Sequence, residues 1–346
     1  MAKRTNTRER LKRRDFILAG GAGLTGLALA PHFRTYAALQ NNSGSMRRIF
    51  ALNHKWLFSS SVPGGGTKPD FDDRRFIPVT IPHTNRVLPW HGFDDKEYEF
   101  VSLYRRHFKL PAELRGRRVF VDFGGVMTAA TLTINGHSLG EYRGGYTPFS
   151  FELTEHINWT GDNVLAVEVD STERADIPPF GGDIDYLTFG GIYRDVAIRV
   201  VAGTFIDNVF AKPVDVLTNN RRVEVRCLVN RRETGGSALS LAAELLDGDR
   251  VVATGSHELP ADVTQQDVTL SGLGSVELWD LARPKLYGVR VSLRQGNRVI
   301  DHYETRFGFR EARFTPQGFY LNGRHIKLRG LNRHQTFPFV GQAMPA

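Results

Sequence analysis

The fold is indicated first by Arg118-Val119-Phe120-Val121-Asp122-Phe123 and, just after it, by Ala130-Thr131-Leu132-Thr133-Ile134-Asn135-Gly136. Apolar side chains recur at every second position in both runs, which is the period of a strand with one buried face. The Asn-Gly pair is the preferred dipeptide of a two-residue hairpin turn, because both turn positions need a positive φ. The stretch therefore predicts antiparallel strands rather than helices.

The same period extends over most of the chain. Short alternating segments, frequent Gly and Pro turns, and the lack of a long amphipathic pattern favour a mainly β protein built from antiparallel sandwiches. We expect one sandwich over residues 47–202 and an immunoglobulin-sized second one over residues 203–311. The clearest strands of the second are Val223–Val229, Leu239–Leu246 and Tyr287–Leu293. The turn-rich stretch 170–191 is predicted to be a functional loop.

Most of the positive charge lies at the amino terminus. The formal net charge is +8, and residues 1–34 contain eight Lys or Arg but only two acidic residues. Adjacent arginines at 13 and 14 precede an uncharged, Gly- and Ala-rich run over residues 16–30, the pattern of a twin-arginine export signal. We predict a signal peptide over residues 1–38, a periplasmic or extracellular location, no stable membrane span after cleavage, and no nucleic-acid partner. An uncleaved anchor is the alternative, for which this apolar run is short.

Cys227 is the single cysteine, so no disulfide can form within the chain. It occupies the same alternating face as Val225 and Val229. We expect a buried, unreactive thiol rather than a nucleophile.

The last 35 residues, 312–346, differ from the rest of the chain in their sequence pattern. Asn322-Gly323 predicts a tight turn, followed by a short strand and the polar exit Asn332-Arg333-His334. A strand that ends in polar residues is how a (β/α)8 barrel begins, and such a barrel takes about 250 residues. Nothing after Glu311 is acidic, so this part cannot supply a pair of carboxylates. We expect residues 312–346 to be the start of a truncated barrel.

A series of short motifs runs along the chain in a fixed order. They are Tyr104-Arg105-Arg106-His107-Phe108, Ile134-Asn135-Gly136, Gly144-Gly145-Tyr146-Thr147-Pro148-Phe149, Gly190-Gly191-Ile192-Tyr193-Arg194-Asp195-Val196, Arg306-Phe307-Gly308-Phe309-Arg310 and Asn332-Arg333-His334. Together they resemble glycoside hydrolase family 2, the β-galactosidase and β-glucuronidase family. The resemblance implies a jelly-roll, galactose-binding-like domain at 47–202, an immunoglobulin-like domain at 203–311, and a barrel with two catalytic glutamates. Both glutamates of the family lie beyond residue 346, so the resemblance gives no catalytic residue in this chain.

The resemblance also suggests substrate-binding residues. Asp185 matches an aspartate that reaches from the first domain to the barrel mouth and accepts hydrogen bonds from sugar hydroxyls. A loop aspartate that caps its own backbone is the alternative. His334 matches a histidine that lines the sugar subsite, with a packing contact as the alternative. Arg333 beside it would bind sugar or brace neighbouring carboxylates.

Several other residues are expected to be structural. We expect Arg194 and Asp195 to form a salt bridge, His83 to be structural, and the four tryptophans to belong to the core or to domain contacts. Phe100 stands where some galactosidases of the family carry a substrate-contacting asparagine, which weakens the case for galactose specificity.

The resemblance implies a β-linked glycoside or oligosaccharide as the partner. No metal or cofactor is expected in this chain, because the family's Mg²⁺ and Na⁺ sites use barrel residues. The predicted function is the non-catalytic amino-terminal portion of an exported, retaining β-glycosidase of the β-galactosidase type, inactive as it stands. The alternative is a stand-alone carbohydrate-binding β-sandwich module.

Overall fold

A computed structural model of the protein describes residues 47–89, 94–178, 186–232, 238–333 and 336–344. The described residues are mainly β, as predicted, with several antiparallel sheets and only three short 3-10 helices, at Asp95–Tyr98, Ala112–Leu114 and Thr154–His156. Within these ranges, no helix has the length and apolar character needed to cross a bilayer.

The first sandwich consists of ten strands between residues 48 and 201. These are β1 Arg48–Ala51, β2 Trp56–Ser59, β3 Ile77–Val79, β4 Val101–Phe108, β5 Arg118–Phe123, β6 Ala129–Ile134, β7 His137–Arg143, β8 Phe149–Glu152, β9 Asn163–Asp170 and β10 Val196–Val201. A six-stranded sheet has the order β3-β2-β4-β9-β6-β7, and a four-stranded sheet has the order β1-β10-β5-β8. Every pairing is antiparallel.

The alternating patterns explain why these two sheets pack together. Val119 and Val121 of β5, and Leu165 and Val167 of β9, are fully buried in one core that both sheets share. Burying apolar side chains on the inner faces contributes about 25 cal/mol per Å² of apolar surface removed from water. The Asn135-Gly136 turn between β6 and β7 has φ values of 51° and 83°, as its sequence predicts.

The second sandwich consists of seven strands between residues 204 and 307. These are β11 Thr204–Val214, β12 Arg222–Arg231, β13 Leu239–Asp247, β14 Arg250–Leu259, β15 Gln265–Leu270, β16 Tyr287–Gln295 and β17 Arg298–Phe307. A three-stranded sheet, β11-β12-β15, faces a four-stranded sheet, β14-β13-β16-β17. Cys227 is fully buried in their shared core, as predicted, and burial raises the pKa of its thiol to about 12.

A buried ion pair connects the beginning of the first sandwich to the second. Arg47, just ahead of β1, donates from Nε (3.2 Å) and Nη2 (2.8 Å) to the carboxylate of Asp301 in β17. Asp301 also accepts the backbone N–H of Ile206 in β11 at 2.8 Å. The guanidinium of Arg47 lies over the rings of Phe205 and Tyr303. This contact fixes the amino-terminal strand against the second sandwich.

The region after residue 311 differs from the prediction. β18 Ala312–Thr315, β19 Gly318–Leu321 and β20 Arg324–Ile326 form a small antiparallel sheet. The predicted Asn322-Gly323 turn is present, with φ values of 52° and 76°. No barrel is seen in the described residues, and 327–333 contain no strand. β20 pairs with β19 in the antiparallel direction, whereas neighbouring strands of such a barrel pair in parallel.

Candidate functional site

The residues closest to the end of the described chain fold back onto the first sandwich. Residues 336–344, which we call the docked hairpin, are closed by two backbone hydrogen bonds between Phe337 and Gly341, of 3.0 and 2.9 Å. The N–H of Phe339 donates to the carbonyl of Leu88 at 2.8 Å. A main-chain contact of this kind attaches the hairpin to the first sandwich independently of its side chains.

The docked hairpin packs on the segment 186–193, which ends the long predicted loop. Gly341 has a φ of 58°, and a Cβ built there would lie 2.6 Å from the ring of Phe189. Only glycine satisfies both the positive φ and this close approach. Ala343 is buried in a cluster with Met127 and Tyr193. The space left between the hairpin and this segment is too narrow for a water molecule.

Three uncharged polar side chains meet at this junction. The phenol of Tyr146 lies next to the phenol of Tyr186 and the carboxamide of Gln342. Gln342 also donates from Nε2 to the carbonyl of Leu187 at 3.4 Å. Burial, and then the Tyr186 phenol, raise the pKa of Tyr146 well above its usual range. Tyr146 therefore remains protonated at neutral pH.

Contacts with Tyr193, Arg194 and Met127 fix the turn that carries Tyr146. The hydroxyl of Tyr193 donates to the carbonyl of Gly145 at 2.5 Å, and Nη1 of Arg194 donates to the carbonyl of Tyr146 at 3.2 Å. A Cβ on Gly145 would lie 2.4 Å from the sulfur of Met127, so the turn lies directly on that side chain. These contacts fix the position of a tyrosine that is 39% exposed.

Arg194 and Asp195 do not form the predicted salt bridge. Nη1 of Arg194 donates to the carbonyls of Gly124 at 3.4 Å and Tyr146 at 3.2 Å, and its guanidinium lies over the ring of Tyr193 at 5.2 Å. Asp195 accepts a hydrogen bond from Nδ2 of Asn53 at 2.8 Å. Both side chains are structural, as expected, but consecutive residues near a strand end point in different directions, and each therefore finds its own partner.

Two of the three substrate-binding residues predicted from sequence are outside the part of the chain that the structure describes. Asp185 and His334 fall outside the described residues, and Arg333 is described and exposed. The described segments that follow Asp185 and His334 are 186–193 and the docked hairpin, and these two contact each other. The structure therefore brings together the chain segments next to two of the predicted residues. Their roles stay predictions.

Sequence reasoning missed Tyr146, Tyr186 and Gln342. Tyr146 lies in the quoted motif Gly144–Phe149, but its exposure and its partners follow only from the docked hairpin. The hairpin has no periodic pattern, and its partners are from about 150 residues (Leu187) to about 250 residues (Leu88) earlier in the chain, so no local signal indicates the contact.

The other residues singled out from sequence are structural where they are described. Nδ1 of His83 lies 2.9 Å from the hydroxyl of Tyr104, and burial lowers the pKa of His83 to about 4. Trp56 is fully buried, and Trp159 packs against the same core. Trp279 contacts the guanidinium of Arg310, and Trp90 lies outside the described residues.

The described residues offer no cluster of three or more His, Cys, Asp or Glu side chains arranged to hold a metal ion. At the junction itself, the contacts come from phenols, a carboxamide and backbone carbonyls. This set can hydrogen-bond a hydroxyl-bearing ligand, but it does not contain the two facing carboxyl groups that glycoside hydrolysis needs.

Two consecutive parts of the chain match known family models. Residues 89–178 match the galactose-binding domain-like model of glycosyl hydrolase 2, and residues 204–310 match the model of glycosyl hydrolases family 2. A β-galactosidase of Thermoanaerobacterium thermosulfurigenes is 39% identical over 304 residues, which are 87% of this chain and 42% of that protein. A β-glucuronidase of Bacteroides fragilis is 31% identical over 318 residues, which are 87% of this chain and 43% of that protein.

Solved structures of β-glucuronidases are also similar to this chain. A β-glucuronidase from glycoside hydrolase family 2 superposes with a TM-score of 0.77 at 26% identity, over 87% of this chain and 35% of that one. The Bacteroides uniformis β-glucuronidase superposes with a TM-score of 0.74 at 28% identity, over 86% and 37%. The chain thus spans about two fifths of the length of the curated relatives named above.

Proposed function

The chain belongs to glycoside hydrolase family 2, and from this premise we propose that it is the amino-terminal, non-catalytic portion of a retaining β-glycosidase of the β-galactosidase type. The observation that carries the proposal is the 39% identity with a β-galactosidase along 87% of the chain. The substrate is a β-linked glycoside or oligosaccharide.

In this proposal the chain contributes substrate contacts and no chemistry. A retaining glycosidase needs one carboxyl group as acid and base and a second as nucleophile, about 5 Å apart across the scissile bond. We propose that both belong to a part of the enzyme outside these 346 residues, and that the chain alone is inactive. Mg²⁺ and Na⁺ are proposed only for that other part.

Asp185 is the proposed first-domain contact to sugar hydroxyls, since a carboxylate accepts charge-assisted hydrogen bonds from them. His334 and Arg333 are the proposed contacts from the other side. The packing of segment 186–193 against the docked hairpin supports this assignment, because it brings the neighbouring parts of the chain into one place.

The amino-terminal residues 1–38 are proposed to be a twin-arginine export signal. This type of signal carries folded proteins, and the mature protein would act in the periplasm or outside the cell. A fusion of residues 1–46 to a folded reporter tests the signal. We expect export that is lost on Arg13→Lys/Arg14→Lys, and unchanged export would contradict it.

A chimaera tests the enzymatic proposal. Residues 47–346 replace the matching portion of the Thermoanaerobacterium thermosulfurigenes β-galactosidase, and hydrolysis of 4-nitrophenyl β-D-galactoside is measured. We expect the chimaera to be active. Asp185→Asn should lower kcat/KM by about 10- to 100-fold, the equivalent of losing a hydrogen bond to a charged group worth about 1.5–3 kcal/mol.

Asp262→Asn is the matched control, because Asp262 is an exposed aspartate in the second sandwich. It should leave kcat/KM unchanged. An inactive but folded chimaera would contradict the proposed function. An Asp185→Asn chimaera as active as the control would contradict the role of Asp185 alone.

A further inference from the structure

One face of the small sheet after residue 311 carries a line of apolar side chains. Phe314 lies opposite Phe319 in the pairing of β18 with β19, and Phe319 lies opposite Ile326 in the pairing of β19 with β20. Opposite residues of paired strands point to the same face, so these three side chains form a continuous line across the sheet, which we call the apolar row. The ring centres of Phe314 and Phe319 are 4.8 Å apart.

The opposite face of this sheet is polar, and its side chains contact one another. The guanidinium of Arg313 lies 5.7 Å from the ring centre of Tyr320, and the ring of Tyr320 contacts that of His325. On the apolar face, by contrast, Phe314 is 76% exposed. An exposed apolar surface of this kind marks a contact with another polypeptide.

β20 also has an open edge next to the apolar row. In the sheet order β18-β19-β20, no strand of the described residues pairs with the outer side of β20. Leu328 and Leu331, which follow β20, are exposed as well, Leu331 to 98%. The open edge of a sheet offers backbone N–H and C=O groups to which a strand of another polypeptide can bond.

Contacts with the loop between β15 and β16 hold the small sheet in a fixed position. Nδ2 of Asn322 donates to the carbonyl of Trp279 at 3.0 Å, and Oδ1 of Asn322 accepts the N–H of Glu311 at 3.0 Å. Nη2 of Arg324 donates to the two carboxylate oxygens of Asp280 at 3.0 and 2.9 Å. A surface that is already ordered loses little conformational entropy on binding, which favours association.

We propose that the apolar row and the open edge of β20 form the docking surface for the catalytic portion of the enzyme, and that this contact holds the two portions together without a peptide bond between them. The inference rests on the proposed function and names the partner. In the curated relatives, about three fifths of the length lies outside the region that matches this chain. The family model matched by the second sandwich ends at residue 310, just before β18, so the docking surface lies next to the matched domains.

Charge argues against a second copy of this chain as the occupant of the surface. Lys327 and Arg329 follow β20, and no residue after Glu311 is acidic. Two copies joined edge to edge along β20 would bring these cations together, and like charges on neighbouring strands destabilise a sheet. The purified chain should therefore sediment as a monomer. A dimer that Phe314→Ser dissolves would assign the surface to a second copy and overturn the proposal.

The main test uses the chimaera described above, with the recognition sequence of a site-specific protease inserted after residue 346. After cleavage, we expect the two portions to elute together in size exclusion, with a dissociation constant of about 1 µM or less. Phe314→Ser should weaken this association by about 10- to 100-fold, because it removes a large aromatic contact. Leu328→Ser should also weaken it.

Phe210→Ser is the matched control, because Phe210 is an exposed phenylalanine on β11 of the second sandwich. It should leave the association of the cut portions unchanged. Circular dichroism and urea denaturation of each variant show whether the fold is retained. The proposal is refuted if the folded Phe314→Ser chimaera dissociates no more readily after cleavage than the Phe210→Ser chimaera does.

The cleavage experiment also separates this inference from the proposed function. If the uncut chimaera hydrolyses 4-nitrophenyl β-D-galactoside but its portions separate on cleavage, only the docking surface is overturned. If the uncut chimaera is folded but inactive, the proposed function is contradicted, while co-elution of the cut portions still measures docking.

Discussion

Asp301→Ala is expected to lower the stability of the protein more than any surface ion-pair change. Asp301 is fully buried, and Arg47 is 3% exposed. The carboxylate accepts two hydrogen bonds from Arg47 and one from the N–H of Ile206. Its removal leaves a buried guanidinium without its counter-ion and a buried N–H without an acceptor.

The expected cost follows from these contacts. Removing one member of a buried ion pair costs about 3–5 kcal/mol, because the remaining charge stays out of water. The exposed pair Arg226–Asp267 is the control, since its side chains are 54% and 49% exposed. Asp267→Ala should cost about 1 kcal/mol or less.

The assay is urea denaturation followed by fluorescence and circular dichroism, with the midpoint shift converted through the slope m. The double variant Arg47→Met/Asp301→Leu should recover most of the loss, because apolar replacements of a buried pair are often neutral. A methionine can also pack against Phe205 and Tyr303, which Arg47 covers now. The reasoning is refuted if Asp301→Ala shifts the midpoint no more than Asp267→Ala does.

Three further predictions concern single sites. Gly341→Val should release the docked hairpin, because its Cβ would lie 2.6 Å from the ring of Phe189. Amide hydrogen exchange in the docked hairpin should therefore rise. In the control Gly330→Ala, the added Cβ meets nothing within 4 Å, and exchange in the hairpin should stay the same. His83 has a folded pKa of about 4, below its unfolded value, so its contribution to stability is intact above about pH 6.5 and is lost as the pH falls toward 4. The stability of His83→Gln should therefore depend less on pH in that window, and an unchanged dependence in urea titrations would contradict this. Cys227 should resist iodoacetamide at pH 8 in the folded chain and react once urea unfolds it, because its pKa is raised to about 12; rapid reaction of the folded chain would argue against its burial.

Much of the β architecture follows from local patterns. β12 and β16 alternate between buried and half-buried or exposed positions, because each strand has one face toward the core. The Asn135-Gly136 turn has the positive φ values that only such residues adopt readily. In these cases the interacting residues are only a few positions apart in the chain, so the local sequence is enough to predict the structure.

The parts that could not be predicted depend on distant contacts. The turn at Asn322-Gly323 was correct, but the pairing direction of the following strand depends on which neighbour is present. The docked hairpin binds Leu88 and Phe189, which no period in its own sequence indicates. The partners of Arg194 follow from where the Tyr146 turn lies, and that position is a tertiary property.

Turnover of 4-nitrophenyl β-D-galactoside by purified residues 47–346, beside the chimaera and a preparation from cells with an empty vector, shows whether the chain itself carries the catalytic carboxyl groups. We predict that the chain releases no more 4-nitrophenolate than the empty-vector preparation, while the chimaera hydrolyses the substrate. Activity of the chain that co-purifies with the protein through two different columns would contradict the claim that both catalytic carboxyl groups lie outside it.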